Sequence, residues 1–103
     1  MDEKPRFIVV EDKDEDRREV LKLLGRGGFE REQNLGQATT YEEAKRLLES
    51  QCRDISVVFL DLNIPRDPSD ARPEKDHGKA VLDLIHEDLN RRAQVDIRVI
   101  VVS

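Results

Sequence analysis

The chain has 103 residues, a length typical of one domain, and 37% of them are hydrophobic while 40% are charged. No apolar run reaches the roughly 20 residues that a membrane-spanning helix needs, so the sequence excludes a transmembrane protein. The 18 basic and 23 acidic residues give a net charge of −5, and we therefore expect no direct nucleic-acid binding. A single cysteine and an N-terminus without a signal-peptide core predict a cytoplasmic protein.

The first two predicted elements are a buried strand and an amphipathic helix. The wholly apolar run Phe7–Val10 is typical of a strand that is buried on both faces of a parallel sheet. Asp14 is predicted to be the N-cap of the helix, which ends in the glycine-rich segment 25–28. Arg17 and Arg18 are assigned to the surface of this helix. Its apolar face is formed at helical spacing by Val20, Leu21 and Leu24.

A weaker strand and a capped helix come next. The polar stretch Gln33–Thr39 is predicted to be an edge strand. Thr40 is predicted to cap a second helix, because Glu43 follows it at capping-box spacing. Tyr41 and Leu48 are on the apolar face of that helix.

The second half of the chain repeats the alternation. Ile55–Leu60 is predicted to be a strongly buried strand, and the loop 62–77 that follows contains prolines that forbid a continuous helix. Helical spacing resumes over Gly78–Arg92, and Ile97–Val102 is predicted to be a third buried strand. Strands that alternate with helices predict a single α/β domain with a parallel sheet.

Oxygen-bearing side chains follow three of these strands. Ligands of open α/β sheets bind beyond the carboxyl ends of the strands, where this sequence has Glu11 and Asp12, then Asp61 and Asn63, and finally Ser103. Carboxylates that are packed together repel one another, so such a cluster needs a cation. Ligands that are all oxygen favour a hard ion, Mg²⁺ before Ca²⁺.

The chain resembles the receiver domain of bacterial two-component response regulators in four stretches over residues 7–103: FIVVEDKDEDRREVLKLL, VVFLDLNIP, the later HG, and VIVVS. The resemblance implies a flavodoxin-like parallel sheet of strand order 2-1-3-4-5 with helices on both faces. It also implies a phosphoprotein of signal transduction that is not an enzyme beyond phosphorylating and dephosphorylating itself.

The resemblance further implies a role for each residue at the strand ends. Asp61 is the phosphoacceptor of a phosphorelay, phosphorylated by a sensor histidine kinase or a phosphotransfer protein. Glu11 and Asp12 match the acidic pair that binds Mg²⁺ together with Asp61, and Asn63 matches the position whose backbone carbonyl completes the metal site. Ser103 matches the residue whose hydroxyl senses the phosphoryl group.

Three features depart from the family pattern. The chain stops after the fourth predicted strand, so we expect a C-terminally incomplete receiver domain over residues 1–103 that lacks the last strand, its lysine and the last helices. Ile97–Val102 is then an exposed apolar edge, which favours a homodimer or strand exchange. The loop between Pro65 and Gly78 holds 12 residues, more than the family has, and Glu11 replaces the commoner aspartate.

Two other functions stay open. A pseudo-receiver would be a protein-interaction module without phosphotransfer, and the missing lysine motivates this alternative. A phosphohydrolase of the haloacid-dehalogenase type also places a nucleophilic aspartate after an apolar strand. That family needs a second aspartate two residues later, however, and this chain has Asn63 at that position.

Overall fold

Among the residues that the structure describes, four parallel strands form a sheet at the centre of the protein. The computed structural model describes residues 4–66 and 75–102, and only the backbone of Lys75 and Asp76. The strands are β1 (Phe7–Val10), β2 (Asn34–Ala38), β3 (Val57–Leu60) and β4 (Arg98–Val101). They lie in the order β2-β1-β3-β4. The protein therefore has the flavodoxin-like α/β fold that the sequence predicts, with the predicted edge strand β2 at one side.

In the part of the chain that the structure describes, three helices connect the strands. They are α1 (Asp14–Arg26), α2 (Tyr41–Gln51) and α3 (Lys75–Asp83), which continues as a π-helical segment over Leu84–Arg92. A short 3₁₀ turn, Arg31–Gln33, precedes β2. The third helix begins three residues before the predicted start at Gly78. None of the helices in the described ranges combines the length and the apolar composition that crossing a membrane requires.

The two helix starts differ in how well the sequence predicts them. The hydroxyl of Thr40 accepts a hydrogen bond from the N–H of Glu43 at 3.2 Å, which confirms the predicted cap of α2. The prediction that Asp14 is an N-cap is wrong, because Lys13 is the extended residue before α1 and its carbonyl accepts the N–H of Arg17 at 2.9 Å. Asp14 is instead the first helical residue, where its charge suits the helix dipole.

Alternating residues of the strands face two separate apolar clusters. On one face of the sheet, Ile8 and Leu60 pack with α2 and α3, whose buried residues include Leu48 and Ile85. The opposite face packs against α1 through Phe7, Val9, Val57 and Phe59, together with Val20, Leu21, Leu24 and Phe29. Both faces of the central strands β1 and β3 are therefore covered, which matches their wholly apolar sequences.

The predicted burial of the fourth strand is wrong. Ile100 and Val101 are each 49% exposed, and β4 pairs with β3 alone within the described part of the chain. The β-branched sequence of β4 is typical of a central strand, but its position is at an edge of the four-stranded sheet. The exposed apolar edge that the sequence also predicts is therefore present here.

Candidate metal centre

Two of the predicted site residues lie side by side at the carboxyl ends of the central strands. Glu11 directly follows β1, and its N–H donates to the carbonyl of Ala38 on β2 at 2.9 Å. Asp61 directly follows β3, and its N–H donates to the carbonyl of Val10 on β1 at 2.9 Å. The sheet hydrogen bonding thus continues one residue past each strand, which fixes both backbones where their side chains leave the sheet.

The side chains of Glu11, Asp12 and Asp61 form one acidic cluster. Each contributes a carboxylate oxygen to a group in which all three oxygens lie within 4.8 Å of one another. Glu11 and Asp61 are buried, with 1% and 4% of their surface exposed, and Asp12 is half-buried. The convergence of these three acids that the sequence predicts is therefore present in the fold.

The cluster is electrostatically unfavourable without a cation. Burial raises the pKa of Glu11 from its usual 4.5 to about 8, and a side-chain hydrogen bond with Asp61 contributes to that rise. The backbone N–H of Lys13 opposes this effect on the pKa, while the charges of Asp61 and Asp12 add to it. Without a bound cation, Glu11 is therefore mostly protonated at neutral pH.

Within the described ranges, one carboxylate oxygen of Asp12 is buried without a hydrogen-bond partner, as expected of a metal ligand. Its Oδ1 is inaccessible to solvent and has no hydrogen-bond partner among the residues that the structure describes. A buried carboxylate oxygen without a partner is costly, and a coordinated cation removes that cost. Three carboxylates with no nitrogen or sulfur donor among them form a ligand set that fits Mg²⁺.

Arg17, on α1, contacts the backbone of the acidic cluster. Its predicted place on the helix surface is therefore wrong. Its side chain is only 17% exposed, and Nη1 donates to the carbonyl of Glu11 at 3.1 Å. Arg17 also forms an ion pair with Asp14. Arg17 lies in the first turn of α1, five residues after Asp12, so its side chain can reach back to the backbone of Glu11, but no pattern in the sequence separates it from a surface arginine. Arg18 is exposed, as predicted.

The segment after β3 is held by backbone hydrogen bonds. The N–H of Asn63 donates to Oδ1 of Asp61 at 2.9 Å, which orients the carboxylate. The N–H groups of Tyr41 and Glu42, in the first turn of α2, donate to the carbonyls of Pro65 and Arg66 at 2.9 and 3.1 Å. The start of α2 therefore anchors the segment that follows Asp61.

The remaining predicted site residues are Asn63 and Ser103. Ser103 lies outside the described residues, as does most of the long loop, residues 67–74. Asn63 is exposed and close to Asp61. That its carbonyl completes the metal site stays a prediction.

Comparison with solved structures agrees with this fold. No protein-family model matches the sequence, and neither does any of the curated proteins. The parallel sheet and the acids at its carboxyl edge agree with the resemblance to a receiver domain of the response regulator class. The chain is similar to the solved structure of the MaeR response regulator bound to beryllium trifluoride. The two are 26% identical with a TM-score of 0.62, and the match covers 97% of this chain and 69% of that one.

Proposed function

We propose that this chain is a receiver domain that acts as a phosphoacceptor in a phosphorelay, and that Asp61 accepts the phosphoryl group. The observation that carries the proposal is the gathering of Glu11, Asp12 and Asp61 within 4.8 Å at the carboxyl edge of the sheet. The similar MaeR response regulator binds beryllium trifluoride, which is a mimic of a phosphoryl group. Its presence in that protein supports the same chemistry for this chain.

The proposed reaction is transfer from the phosphohistidine of a sensor kinase or a phosphotransfer protein. A carboxylate oxygen of Asp61 attacks phosphorus, an O–P bond forms, and the P–N bond breaks as the imidazole leaves. The hydrogen bond from the N–H of Asn63 limits rotation of the attacking carboxylate. Burial of Asp61 keeps its carboxylate largely out of water before the donor arrives.

Glu11 and Asp12 are proposed to bind Mg²⁺ together with Asp61, with the carbonyl of Asn63 as a further ligand. When bound, Mg²⁺ offsets the negative charge of the phosphoryl oxygens and of the carboxylates. Glu11 must release its proton to act as a ligand, so metal binding releases protons below pH 8. Ser103 is proposed, from the family resemblance, to bind the phosphoryl oxygens and report their presence.

The test is phosphorylation by a small phosphodonor. The protein is incubated with Mg²⁺ and acetyl phosphate, and its intact mass is recorded. We expect a gain of one phosphoryl group that disappears in Asp61→Asn and when EDTA removes the metal. Asp54→Asn is the matched control, because Asp54 is an exposed aspartate that precedes β3 at the opposite end of the sheet.

The outcomes separate the possible functions. Asp54→Asn should be phosphorylated like the unaltered protein. Phosphorylation that persists in Asp61→Asn would assign the acceptor to another residue. A protein that never gains mass and binds no beryllofluoride would instead be a protein-interaction module without phosphotransfer.

A further inference from the structure

Gly78 lies against the backbone next to the phosphoacceptor. It is a buried residue in the first turn of α3. An ideal Cβ at this position would lie within 2.5 Å of three backbone atoms of Leu62, which are the Cα, the carbonyl carbon and the carbonyl oxygen. Real side chains do not approach backbone this closely, so the helix and the segment after β3 can meet only because residue 78 has no side chain.

The residue that Gly78 contacts is central to the proposed site. Leu62 lies between Asp61, the proposed phosphoacceptor, and Asn63, whose N–H orients that carboxylate. On its other side the same segment is anchored to α2, because the carbonyls of Pro65 and Arg66 accept backbone hydrogen bonds. A segment that is fixed at one end cannot move freely when it is pushed at the other.

We infer that Gly78 is a positioning residue for the metal site: its lack of a side chain sets the place of Leu62 and thereby of the two oxygen donors on either side of it. This inference rests on the proposed metal-binding function. A methyl group at residue 78 must displace either α3 or the backbone of Leu62. Displacement of Leu62 moves the carboxylate of Asp61 and the carbonyl of Asn63 away from Glu11 and Asp12.

The test compares two glycine-to-alanine variants. In Gly78→Ala we expect binding of Mg²⁺, measured by titration calorimetry, to weaken by about 10- to 100-fold, the range typical of residues that orient metal ligands. Gly25→Ala is the matched control, because Gly25 is in α1 and an added Cβ there meets nothing within 4 Å. Gly25→Ala should bind Mg²⁺ as the unaltered protein does.

Urea unfolding in EDTA accompanies both titrations, so that affinity is compared only between folded proteins. Equal Mg²⁺ affinity in folded Gly78→Ala and in the unaltered protein would overturn the inference and leave the proposed function intact. Failure of the unaltered protein to bind Mg²⁺ would instead remove the proposed metal site.

A measurement on the unaltered protein covers the case in which Gly78→Ala does not fold. Its amide NMR spectrum is followed while Mg²⁺ is added. We expect the amide of Gly78 to shift together with those of Leu62 and Asn63, while the amide of Gly25 stays in place. Shifts at Asn63 without any shift at Gly78 would overturn the inference, because they would show that the site changes independently of α3.

Discussion

The backbone of Glu11 stabilises the sheet, whereas burial of its carboxyl group disfavours the ionised form of that group. Its backbone belongs to the sheet, since its N–H donates to Ala38. Its carboxyl group is buried beside two other acids, and its pKa is raised to about 8 by that burial and by the hydrogen bond with Asp61. The folded protein therefore keeps a proton on Glu11 that the unfolded chain releases near pH 4.5. Proton binding in the folded state links the stability of the metal-free protein to pH.

We predict that the metal-free protein loses stability as the pH rises from about 5 to 8. The loss attributable to Glu11 is at most about 1.4 kcal/mol of unfolding free energy per pH unit, because one proton is bound only in the folded state. Urea unfolding in EDTA at a series of pH values measures this slope. Glu11→Gln cannot ionise, so the difference between it and the unaltered protein isolates the contribution of Glu11.

The control for this series is Glu49→Gln, which changes an exposed glutamate on α2. It should keep the pH dependence of the unaltered protein. Saturating Mg²⁺ should reduce the slope, because the metal replaces the proton on Glu11. A slope that is unchanged in Glu11→Gln would contradict the raised pKa.

At the scale of elements, the start of α2 is capped by Thr40 and also binds the segment that follows β3. Thr40 satisfies the N–H of Glu43 with its hydroxyl, and the next two residues use their free N–H groups to hold Pro65 and Arg66. The first turn of a helix always leaves such N–H groups without partners inside the helix. In this protein they join the helix start to the segment that carries Asp61.

We predict that Thr40→Ala lowers the free energy of unfolding by about 1 kcal/mol, the usual effect of removing a threonine N-cap. Chemical denaturation monitored by circular dichroism measures the change. Ser50→Ala is the control, because Ser50 is an exposed hydroxyl residue near the other end of α2 and bonds only to the carbonyl of Leu47 among the described contacts. It should change stability by less than Thr40→Ala does, and equal losses would argue against the cap.

Some features of the helices and strands could be predicted from the sequence and others could not. The apolar face of α1 and the cap at Thr40 follow from local patterns and could be predicted. The order of the strands was implied by the family resemblance and not by any local pattern. The cap position predicted for Asp14 is wrong because Asp suits both the N-cap and the first turn, and only the backbone conformation of Lys13 separates them.

The candidate site was predictable where it depends on strand ends and not where it depends on tertiary contacts. Glu11, Asp12 and Asp61 follow strands at their carboxyl ends, so a parallel sheet brings them together. Arg17 and Gly78 are on helices, and their contacts with Glu11 and Leu62 depend on how those helices pack. Helical spacing alone assigns such residues to a surface or to a helix start.

At the scale of the whole molecule, the two edges of the sheet differ. The edge strand β2 is polar, with the sequence NLGQA, whereas β4 has the apolar sequence VIV after Arg98. Within the described ranges, no strand pairs with the outer side of β4. An apolar edge with free backbone groups can pair with another chain, while a polar edge resists this.

We predict that the 103-residue chain self-associates through β4 as its concentration rises. Ile100→Lys places a charge on that strand and should shift sedimentation velocity profiles towards the monomer. Leu23→Lys is the matched control, because Leu23 is 56% exposed and Ile100 is 49% exposed, but Leu23 is on α1. Either variant moves the net charge of −5 towards zero by the same amount, so general charge repulsion cannot explain a difference between them. A protein that stays monomeric at every concentration, or equal effects of the two variants, would show that β4 is not the surface of association.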